Sequence, residues 1–420
     1  MMIPKKMTDK KVGILGLGIS GNSVLKSLEA GGCKIFAYDD NNISNHIIIN
    51  PTKWPWNELD QIIVSPGISL EHPVVLKAKE LNIQINNEID IFAKSEPKAK
   101  VIGVTGTNGK STTTALLGHM IRFHGHKVEV GGNIGKAATS LVDPGVKGYI
   151  VLELSSFQLE TCSQLKLDGA VILNITPDHI EWHGNLTNYY NAKIKISSFL
   201  KKNAPLLISS NDNLSSKASE ELKKVNNVLR LDKNDKKKSN FFKNSIYHKE
   251  NIIGSIKLLS SLGMPEKESL LAVESFKGLP HRMEIISKKD KVIFINDSKA
   301  TNAEAASKAL GFFENIFWIA GGLGKSSGIK GALGHIKNVK RCYLFGESKY
   351  NFFNELSSKV NCSIFDTMEE ALKAVFRDTQ NTKEEITILF SPGASSFDQF
   401  KNFEDRGNKF KELTFQIWSI

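Results

Sequence analysis

The sequence predicts an α/β protein with three domains: a Rossmann-like N-terminal domain, a central P-loop NTPase-like domain with a parallel or mixed sheet, and a Rossmann-like C-terminal domain. Short apolar runs alternate with helical patterns along the chain, which is typical of parallel sheets covered by helices. Two glycine-rich turns, at residues 16–21 and 103–112, each follow an apolar run and open a helical pattern. At 420 residues the chain is also too long for one ordinary core.

The N-terminal domain is predicted to span residues 1–95. Its strands are short apolar runs that end in polar residues or glycine: residues 12–15, 34–38 and 61–64. The turn at residues 16–21 opens a helix that ends at Gly31, and the second strand carries Asp39 just past its end. Residues 95–98, Ser-Glu-Pro-Lys, are predicted to form the linker to the next domain.

The central domain is predicted over residues 96–279 and the C-terminal domain over residues 280–420. Apolar runs predict the strands of the central domain at residues 101–104, 149–154 and 169–175. Similar runs predict the C-terminal strands at residues 291–296, 316–320, 343–346 and 386–391. Residues 230–245, rich in Lys, Asn, Asp and Ser, are predicted to form a surface excursion. Because helical patterns separate the strands, all three sheets are expected to be parallel.

The composition is that of a globular protein, with 40% hydrophobic residues, 24% charged residues and a formal net charge of +11. The lysine excess indicates either a solvated basic surface or attraction of small polyanions, and no basic motif interleaved with aromatic residues predicts nucleic-acid binding. The four cysteines lack the spacing of a disulfide framework or a zinc site. No apolar run approaches the ~20 residues of a membrane span, and no signal peptide is visible. The expectation is a cytoplasmic monomer without membrane insertion.

Residues 104–112, Val-Thr-Gly-Thr-Asn-Gly-Lys-Ser-Thr, carry the most specific chemistry. An apolar strand precedes them and a helical pattern follows, so amide N–H groups at the helix start can point at an anion. Gly106 and Gly109 let the backbone approach that anion. Lys110 supplies a charge for the outer phosphates of a nucleoside triphosphate, and Ser111 supplies a hydroxyl for Mg²⁺. The pattern therefore predicts the use of a nucleoside triphosphate.

The turn at residues 16–21, Gly-Leu-Gly-Ile-Ser-Gly, has the spacing and the context of a dinucleotide-binding turn, with Asp39 after the second strand. On its own it would predict a dehydrogenase. Nothing later in the sequence supports hydride transfer, and the second nucleotide site at Lys110 argues against it. Because such a turn can bind any pyrophosphate, we interpret it as the site of a nucleotide-linked substrate.

Polar residues follow the strands of the other two predicted sheets, at the edge where parallel sheets bind their ligands. Glu153 ends a central strand at the place of a second contact to Mg²⁺, and His179 follows the next strand. A helix-capping acid and a structural histidine remain the alternatives for these two residues. Three C-terminal segments offer backbone amides or cations to anionic groups: residues 296–302, 321–325 and 391–396. Together they predict a domain that encloses a phosphate and a carboxylate.

Five segments resemble a known family, in the order in which that family has them. Residues 105–112 resemble the P-loop of the Mur ligases and of the related folylpolyglutamate synthases. More narrowly, the other segments resemble the D-glutamate-adding members of the Mur ligases: residues 16–21 with 65–68, 153–158 (Glu-Leu-Ser-Ser-Phe-Gln), 297–302 (Asp-Ser-Lys-Ala-Thr-Asn) and 391–403. The resemblance spans nearly the whole chain.

The resemblance implies an ATP-dependent amide ligase of peptidoglycan precursor synthesis, with the small molecules UDP-N-acetylmuramoyl-L-alanine and D-glutamate as its substrates. ATP would phosphorylate the L-alanyl carboxylate, and the amine of D-glutamate would attack the acyl phosphate. Such chemistry depends on positioning and charge neutralisation. The implied cofactors are ATP and Mg²⁺ at two sites. Lys193 matches the lysine that the family carbamylates, which converts a cation beside the metal into an anion.

By position, the resemblance implies catalytic roles for residues of the two later domains: Lys110, Glu153, His179, Lys193 and Lys299. The implied metal ligands are Ser111, Glu153, His179 and Lys193 as its carbamate. ATP would contact the P-loop and residues beyond it: Gly106, Thr107, Asn108, Gly109, Lys110, Ser111, Thr112, Asn251, Arg282 and Asp297. His281 with Arg282 matches the family's His-Arg pair near the ATP phosphates.

The resemblance implies the substrate contacts in the same way. The UDP-linked substrate would contact the first glycine turn and nearby loops: Ile19, Ser20, Asp39, Ser65, Gly67 and Asn133. D-Glutamate would lie among residues of the central and C-terminal domains: His179, Thr301, Lys325, Ser396 and Phe403. The sequence departs from the family pattern at four positions near the adenine and glutamate contacts: Glu250, Gly254, Leu323 and Phe397.

Two other functions remain open. Another amide ligase of the same fold would add a different amino acid or extend folate. The Rossmann-like N-terminal domain argues against the folate enzymes, and the absence of Asp-Asn-Pro-Arg argues against a diaminopimelate-adding ligase. A nucleotide-regulated dehydrogenase or binding module would bind NAD at residues 16–21 and would turn over no ATP in response to an amino acid.

Overall fold

The computed structural model describes residues 1–41, 48–209, 212–224, 227–231, 235, 249–324, 328–380, 382 and 384–419. The chain forms two compact units, Met1–Phe276 and Lys277–Ile420, and three sheets. The α/β fold class is confirmed. The domain boundaries after residues 95 and 279 stay predictions, since the first unit contains two of the sheets. In the part of the chain that the structure describes, no helix is both long and apolar enough to cross a membrane.

The first sheet has the strand order β2-β1-β3-β4 and is parallel throughout. Its strands are β1 (Lys11–Leu15), β2 (Lys34–Tyr38), β3 (Gln61–Val64) and β4 (Gln84–Asn86). Its helices are α1 (Ile19–Ala30), α2 (Pro73–Glu80) and α3 (Glu88–Lys94). The predicted glycine turn joins β1 to α1. Gly16 has a φ of 89°, and a Cβ at Gly21 would collide with the Gly16 carbonyl oxygen, so both positions require glycine.

The second sheet has the order β10-β9-β8-β5-β7-β6 and is parallel. Its strands are β5 (Lys100–Thr105), β6 (Val128–Gly132), β7 (Tyr149–Glu153), β8 (Gly169–Ile172), β9 (Pro205–Ile208) and β10 (Asn227–Leu229). Its helices are α4 (Lys110–Phe123), α5 (Ser156–Thr161), α6 (Ile180–His183), α7 (Leu186–Ile194), α8 (Asn213–Leu222), α9 (Lys249–Ser261) and α10 (Glu266–Glu274). Successive residues of β5, such as Val101 and Ile102, pack into two different cores on opposite faces of the sheet. Both faces of this sheet are therefore buried.

The third sheet has the order β11-β12-β16-β13-β14-β15. Its strands are β11 (Glu284–Lys289), β12 (Val292–Asn296), β13 (Ile316–Gly321), β14 (Val339–Phe345), β15 (Asn361–Ile364) and β16 (Ile386–Phe390). Its helices are α11 (Ala303–Leu310), α12 (Lys349–Leu356), α13 (Met368–Thr379) and α14 (Phe403–Trp418). The expectation of an all-parallel sheet is wrong here, because β11 pairs antiparallel with β12. A two-residue turn joins these strands, and only antiparallel neighbours allow so short a connection.

The predicted strand at residues 169–175 is too long. β8 ends at Ile172, and the residues after it form a loop beside the P-loop. The predicted excursion at residues 230–245 lies almost entirely outside the described residues.

Candidate nucleotide and ligation site

The P-loop leaves β5 at the C-terminal edge of the central sheet and turns into α4. Gly109, with a φ of 83°, precedes the first residue of α4. Asn174, just past β8, holds the loop with its backbone and its side chain. Its carbonyl oxygen accepts from the Thr107 N–H at 2.9 Å, and its Oδ1 accepts from the Asn108 N–H at 2.8 Å. The loop thus has an anion-binding shape that its own neighbours hold in place.

Two lysines meet at the carbonyl oxygen of Gly106. Lys110 Nζ donates to it at 2.9 Å, and Lys193 Nζ, from α7, donates to it at 2.8 Å. Lys193 is 2% exposed. Burial, and secondarily the charge of Lys110, hold the pKa of Lys193 well below its ordinary value. Its neutral amine is therefore more accessible than that of an exposed lysine.

Glu153 ends β7 and is 2% exposed. Its Oε1 accepts from Asn133 Nδ2 at 2.8 Å, whereas its Oε2 is buried without a hydrogen-bond partner. Such an oxygen is costly to bury unless a cation or a donor binds it, so this carboxylate fits a metal ligand. Among the described residues, no three His, Cys, Asp or Glu side chains lie close enough to hold a metal. A Mg²⁺ ion here would need oxygens of other kinds, such as the Ser111 hydroxyl and phosphates.

His179 follows β8 and precedes α6, with a left-handed φ of 52°. Its ring centre lies 4.9 Å from that of Phe157 and 6.4 Å from that of Tyr189. The side chain is about half exposed. His179, an implied metal ligand, thus lies partly exposed to solvent and packs against two aromatic rings.

Two residues of this cluster were not singled out in the sequence. The Tyr189 hydroxyl lies 2.8 Å from Thr107 Oγ1 in the P-loop, and Tyr189 itself is fully buried. His183 Nε2 lies 3.0 Å from Ser156 Oγ, and burial lowers the pKa of His183. Their positions in the sequence do not show which polar atoms they meet.

Asn251, in α9, also lies at the P-loop, because a Cβ on Gly109 would come within 2.6 Å of its Nδ2. The structure accounts for one departure from the family pattern nearby. Gly254 is buried, and a Cβ there would lie 2.5 Å from Leu207 Cδ2. An asparagine would not fit at this position without a shift of the Leu207 side chain.

The residues predicted to bind the UDP-linked substrate surround the first glycine turn, apart from Asn133. Asp39 Oδ2 accepts from the Leu17 N–H at 2.6 Å, and this bond lowers the pKa of Asp39. Ser65 Oγ donates to the Gly16 carbonyl oxygen at 2.8 Å. Ile19 is 78% exposed at the start of α1. An ionised acid and an exposed apolar side chain at one strand edge suit a nucleoside, with its ribose and its base. Ser20 is half-buried and Gly67 has a φ of 95° in the same region.

In the second unit, His281 and Arg282 precede β11. His281 is 5% exposed with a φ of 61°, and its Nδ1 lies 3.0 Å from Asn296 Nδ2. Burial lowers the pKa of His281. The ring packs against α14, since a Cβ on Gly407 would collide with it. His281 is thus a buried anchor of this unit, and Arg282 follows it at the end of the anchored segment.

Asp297, at the end of β12, is buried with two donors. Its Oδ1 accepts from the Met283 N–H at 3.1 Å, and its Oδ2 accepts from Ser391 Oγ at 2.8 Å. Burial raises the pKa of Asp297 to about 7, although these hydrogen bonds and the charge of Arg282 oppose the shift. A proton on this carboxyl is therefore favoured over much of the acidic range.

Asp297 predicts a pH dependence of stability. Its folded-state pKa lies above the unfolded value, so folding takes up a proton, and stability falls as pH rises from about 4 to about 7. The free energy of unfolding in urea should fall between pH 5 and pH 8. The fall in the wild type should exceed the fall in Asp297→Asn by on the order of 3 kcal/mol. Asp290→Asn, at an exposed turn, is the control. Equal losses in wild type and Asp297→Asn would contradict the assignment.

The three predicted anion-binding segments of the second unit do meet. Leu323 and Ser395 exchange backbone hydrogen bonds at 3.0 Å, which joins segments 321–325 and 391–396. Lys299 Nζ lies 3.9 Å from the centre of the Phe403 ring. Of the remaining predicted glutamate contacts, Thr301 is half-buried, Ser396 is 2% exposed, and Lys325 lies outside the described residues.

Arg406, which sequence reasoning missed, connects two of these segments. Its Nη2 donates to the Ser298 carbonyl oxygen at 2.8 Å, and its Nη1 donates to the Ser395 carbonyl oxygen at 3.0 Å. Its Nε also donates to Ser298 Oγ at 3.1 Å. The side chain is fully buried, and burial lowers its pKa to about 10. The sequence signal that could have identified this residue is an arginine on the apolar side of α14.

Two family models match the chain. The Mur ligase middle domain matches residues 104–268, which include the P-loop, Lys193 and Asn251. The Mur ligase glutamate ligase domain matches residues 281–392, which include Asp297 and Lys299.

Curated relatives match over nearly the full length. A protein of Rickettsia bellii strain RML369-C named UDP-N-acetylmuramoylalanine--D-glutamate ligase is 36% identical, and the match covers 98% of each chain. A protein of Wolbachia pipientis wMel with the same name is 32% identical, with 96% of each chain covered.

Solved structures share the fold. The UDP-N-acetylmuramate-alanine ligase MurC of Thermotoga maritima matches 97% of this chain and 99% of its own at 19% identity, with a TM-score of 0.60. The MurF ligase of Thermotoga maritima in complex with ADP matches 100% of this chain and 97% of its own at 17% identity, also with a TM-score of 0.60. The two family models and the full-length relatives show that the chain belongs to the Mur ligase family.

Proposed function

We propose that this protein is an ATP-dependent ligase that joins D-glutamate to UDP-N-acetylmuramoyl-L-alanine in peptidoglycan precursor synthesis. The observation that carries the proposal is the 36% identity to a D-glutamate ligase over 98% of both chains. The P-loop geometry supports the use of ATP, as does membership of an ATP-dependent family. We further propose a cytoplasmic monomer of three domains, with boundaries near residues 95 and 279.

The reaction must activate a carboxylate, which is a poor electrophile. The γ-phosphoryl group of ATP moves to an oxygen of the L-alanyl carboxylate and ADP leaves. The amine of D-glutamate then attacks the acyl carbon, loses a proton, and phosphate departs with that oxygen. In this proposal Lys110 and the P-loop amides hold the phosphates in line, and Lys299 neutralises charge at the acyl phosphate.

Lys193 is proposed to act as a carbamate. Its Nζ would attack CO₂ and lose a proton, which forms an N-carboxylate anion. Support comes from its burial, from the depressed pKa that favours the neutral nucleophile, and from its contact with the P-loop carbonyl. The carbamate, Glu153, Ser111 and His179 would then provide ligands for two Mg²⁺ ions together with phosphate oxygens. Mg²⁺ neutralises the phosphate charge during transfer.

The two substrates are proposed to bind where the sequence placed them. The uridine nucleotide would lie at the first glycine turn, with Asp39 toward the ribose. The carboxylates of D-glutamate would lie near Ser396, Thr301 and Lys325, with His179 from the first unit. The exposed Phe397, 70% accessible, would border this pocket.

Phosphate release with ATP, Mg²⁺ and the UDP-linked substrate tests the proposal. We expect turnover with D-glutamate, and at most about 1% of that rate with L-glutamate, L-lysine or diaminopimelate, since mispositioned amines lose the entropic advantage of the site. Mass spectrometry should find the D-glutamyl product. Turnover with another amino acid would keep the ligase chemistry and refute the specificity. No turnover, with NAD binding at residues 16–21 instead, would refute the ligase.

A further inference from the structure

A cavity of about 780 Å³ lies in the first unit, away from the residues assigned to catalysis. Its walls come from the N-terminal segment at residues 5–7, the end of α3 with the following linker, the start of β5, and residues 164–166. This volume is in the range of pockets that bind small organic molecules.

The N-terminal segment that forms one wall is held in place. Met2 is 3% exposed in the same core as Phe92, Ala99 and Val101. The Lys5 N–H donates to the Lys94 carbonyl oxygen at 2.9 Å. The wall is therefore a packed part of the fold.

The lining combines an apolar floor with a basic rim. Phe92, Leu165 and Val101 form part of the floor. The rim carries five lysines: Lys5, Lys6, Lys94, Lys166 and Lys201. One carboxylate, Glu96, also lines the cavity.

The negative charges near the cavity do not balance the positive ones. Glu96 pairs with Lys5 at 3.0 Å, and Lys201 pairs with Asp168 at 2.8 Å. Lys94 donates to the amide oxygen of Gln61 at 2.6 Å, and the Asp90 carboxylate offsets part of its charge. Lys6 and Lys166 add two further positive charges. A ligand with a negative head group would supply the missing charge.

Two lining residues have strained backbones. Lys6 has a φ of 58° and Glu96 a φ of 49°, both in the left-handed region that non-glycine residues rarely adopt. Such strain tends to cluster at binding sites.

The cavity is separate from the P-loop. β5 contributes Val101 to the cavity near its first residue and ends at Thr105, where the P-loop starts. The two sites therefore lie at opposite ends of β5, on the order of 15 Å apart along the strand. A ligand in the cavity would not occupy the ATP site.

We propose that this cavity binds an amphipathic anion, that is, a carboxylate or phosphate monoester with an aliphatic body. The basic rim would bind the head group and the floor would bury the chain. This site is independent of the proposed ligase function.

The test is calorimetric titration of the full chain with decanoate and with decyl phosphate, both below their micelle concentrations. We expect saturable one-to-one binding of one or both, with no comparable binding of decanol or of inorganic phosphate. The two anions separate a carboxylate ligand from a phosphate ligand. Binding should persist with a saturating non-hydrolysable ATP analogue.

Variants locate the site. Lys6→Glu with Lys166→Glu should weaken binding by roughly tenfold or more, and Ala93→Phe, which fills the cavity from α3, should abolish it. Lys337→Glu with Lys359→Glu makes the same charge change on the second unit and should leave affinity within twofold. ATP turnover and Tm confirm that each variant is folded. No saturable binding of either anion, or equal weakening by both lysine pairs, would overturn the proposal.

Discussion

Replacing Lys193 with alanine is expected to lower D-glutamate-dependent phosphate release by about three orders of magnitude or more, because the site would lose an anion at the phosphates. The lysine is buried against the P-loop, and its pKa is depressed. The substitution leaves a space of the size of the lost side chain. Acetate or propionate should enter it and restore part of the activity, whereas ammonium salts of matching ionic strength without a carboxylate should not.

Lys217→Ala is the matched control, since Lys217 is an exposed lysine of α8 in the same unit. Its activity should stay within twofold of the wild type. Carbon-13 NMR with labelled bicarbonate should show a carbamate signal in the wild type that Lys193→Ala lacks. A missing signal in the active wild type, or loss of activity that no short carboxylate restores, would contradict the carbamate.

Substitution of Arg406 is expected to have the second largest effect. Arg406→Ala removes three hydrogen bonds and leaves the buried Ser298 carbonyl oxygen without its donor, whereas the Ser395 carbonyl oxygen keeps the Leu323 N–H. An unsatisfied buried group costs about 1–3 kcal/mol. Arg406→Lys keeps the charge and loses the planar fork, so it should stay folded and bind D-glutamate poorly. We expect its kcat/KM for D-glutamate to fall by roughly a hundredfold.

The readout separates positioning from general damage. For Arg406→Lys, the affinity for an ATP analogue should change less than twofold, since the hydrogen bonds of Arg406 go to Ser298 and Ser395 and to none of the proposed ATP contacts. Lys409→Ala, on the exposed side of α14, is the control and should resemble the wild type. If Arg406→Lys keeps the wild-type KM and kcat for D-glutamate, Arg406 does not position these segments for the reaction.

Much of the fold was predictable, for physical reasons that the described residues illustrate. Strands buried on both faces are continuous apolar runs, and so β3 at Gln61–Val64 and β16 at Ile386–Phe390 were visible in the sequence. The two glycine turns were visible because their geometry excludes side chains, as at Gly16 and Gly21.

Edge strands were harder to predict. β4, β10 and β15 are three or four residues long and carry polar side chains, so their apolar pattern is too short to recognise. The antiparallel β11 was missed because its residues are largely exposed and charged. The pairing of such strands depends on the sheet beside them and not on their own composition.

The candidate site shows the same limit. Lys110 comes just after β5 and Glu153 ends β7, so both lie at the carboxyl ends of neighbouring parallel strands. The topology of a parallel sheet therefore predicts that they lie close together. Arg406 and Tyr189 act at a distance in sequence, through contacts 108 and 82 residues away. Only the folded chain brings such partners together.

In the proposed reaction, ATP activates the L-alanyl carboxylate for attack by D-glutamate. The most direct measurement uses UDP-N-acetylmuramoyl-L-alanine labelled with oxygen-18 in that carboxylate, with ATP, Mg²⁺ and D-glutamate. Mass spectrometry of the products should find one labelled oxygen in each phosphate released and the D-glutamyl product in equal amount. Unlabelled phosphate accompanying that product, or phosphate release without any product, would rule out an acyl phosphate on the path to the product.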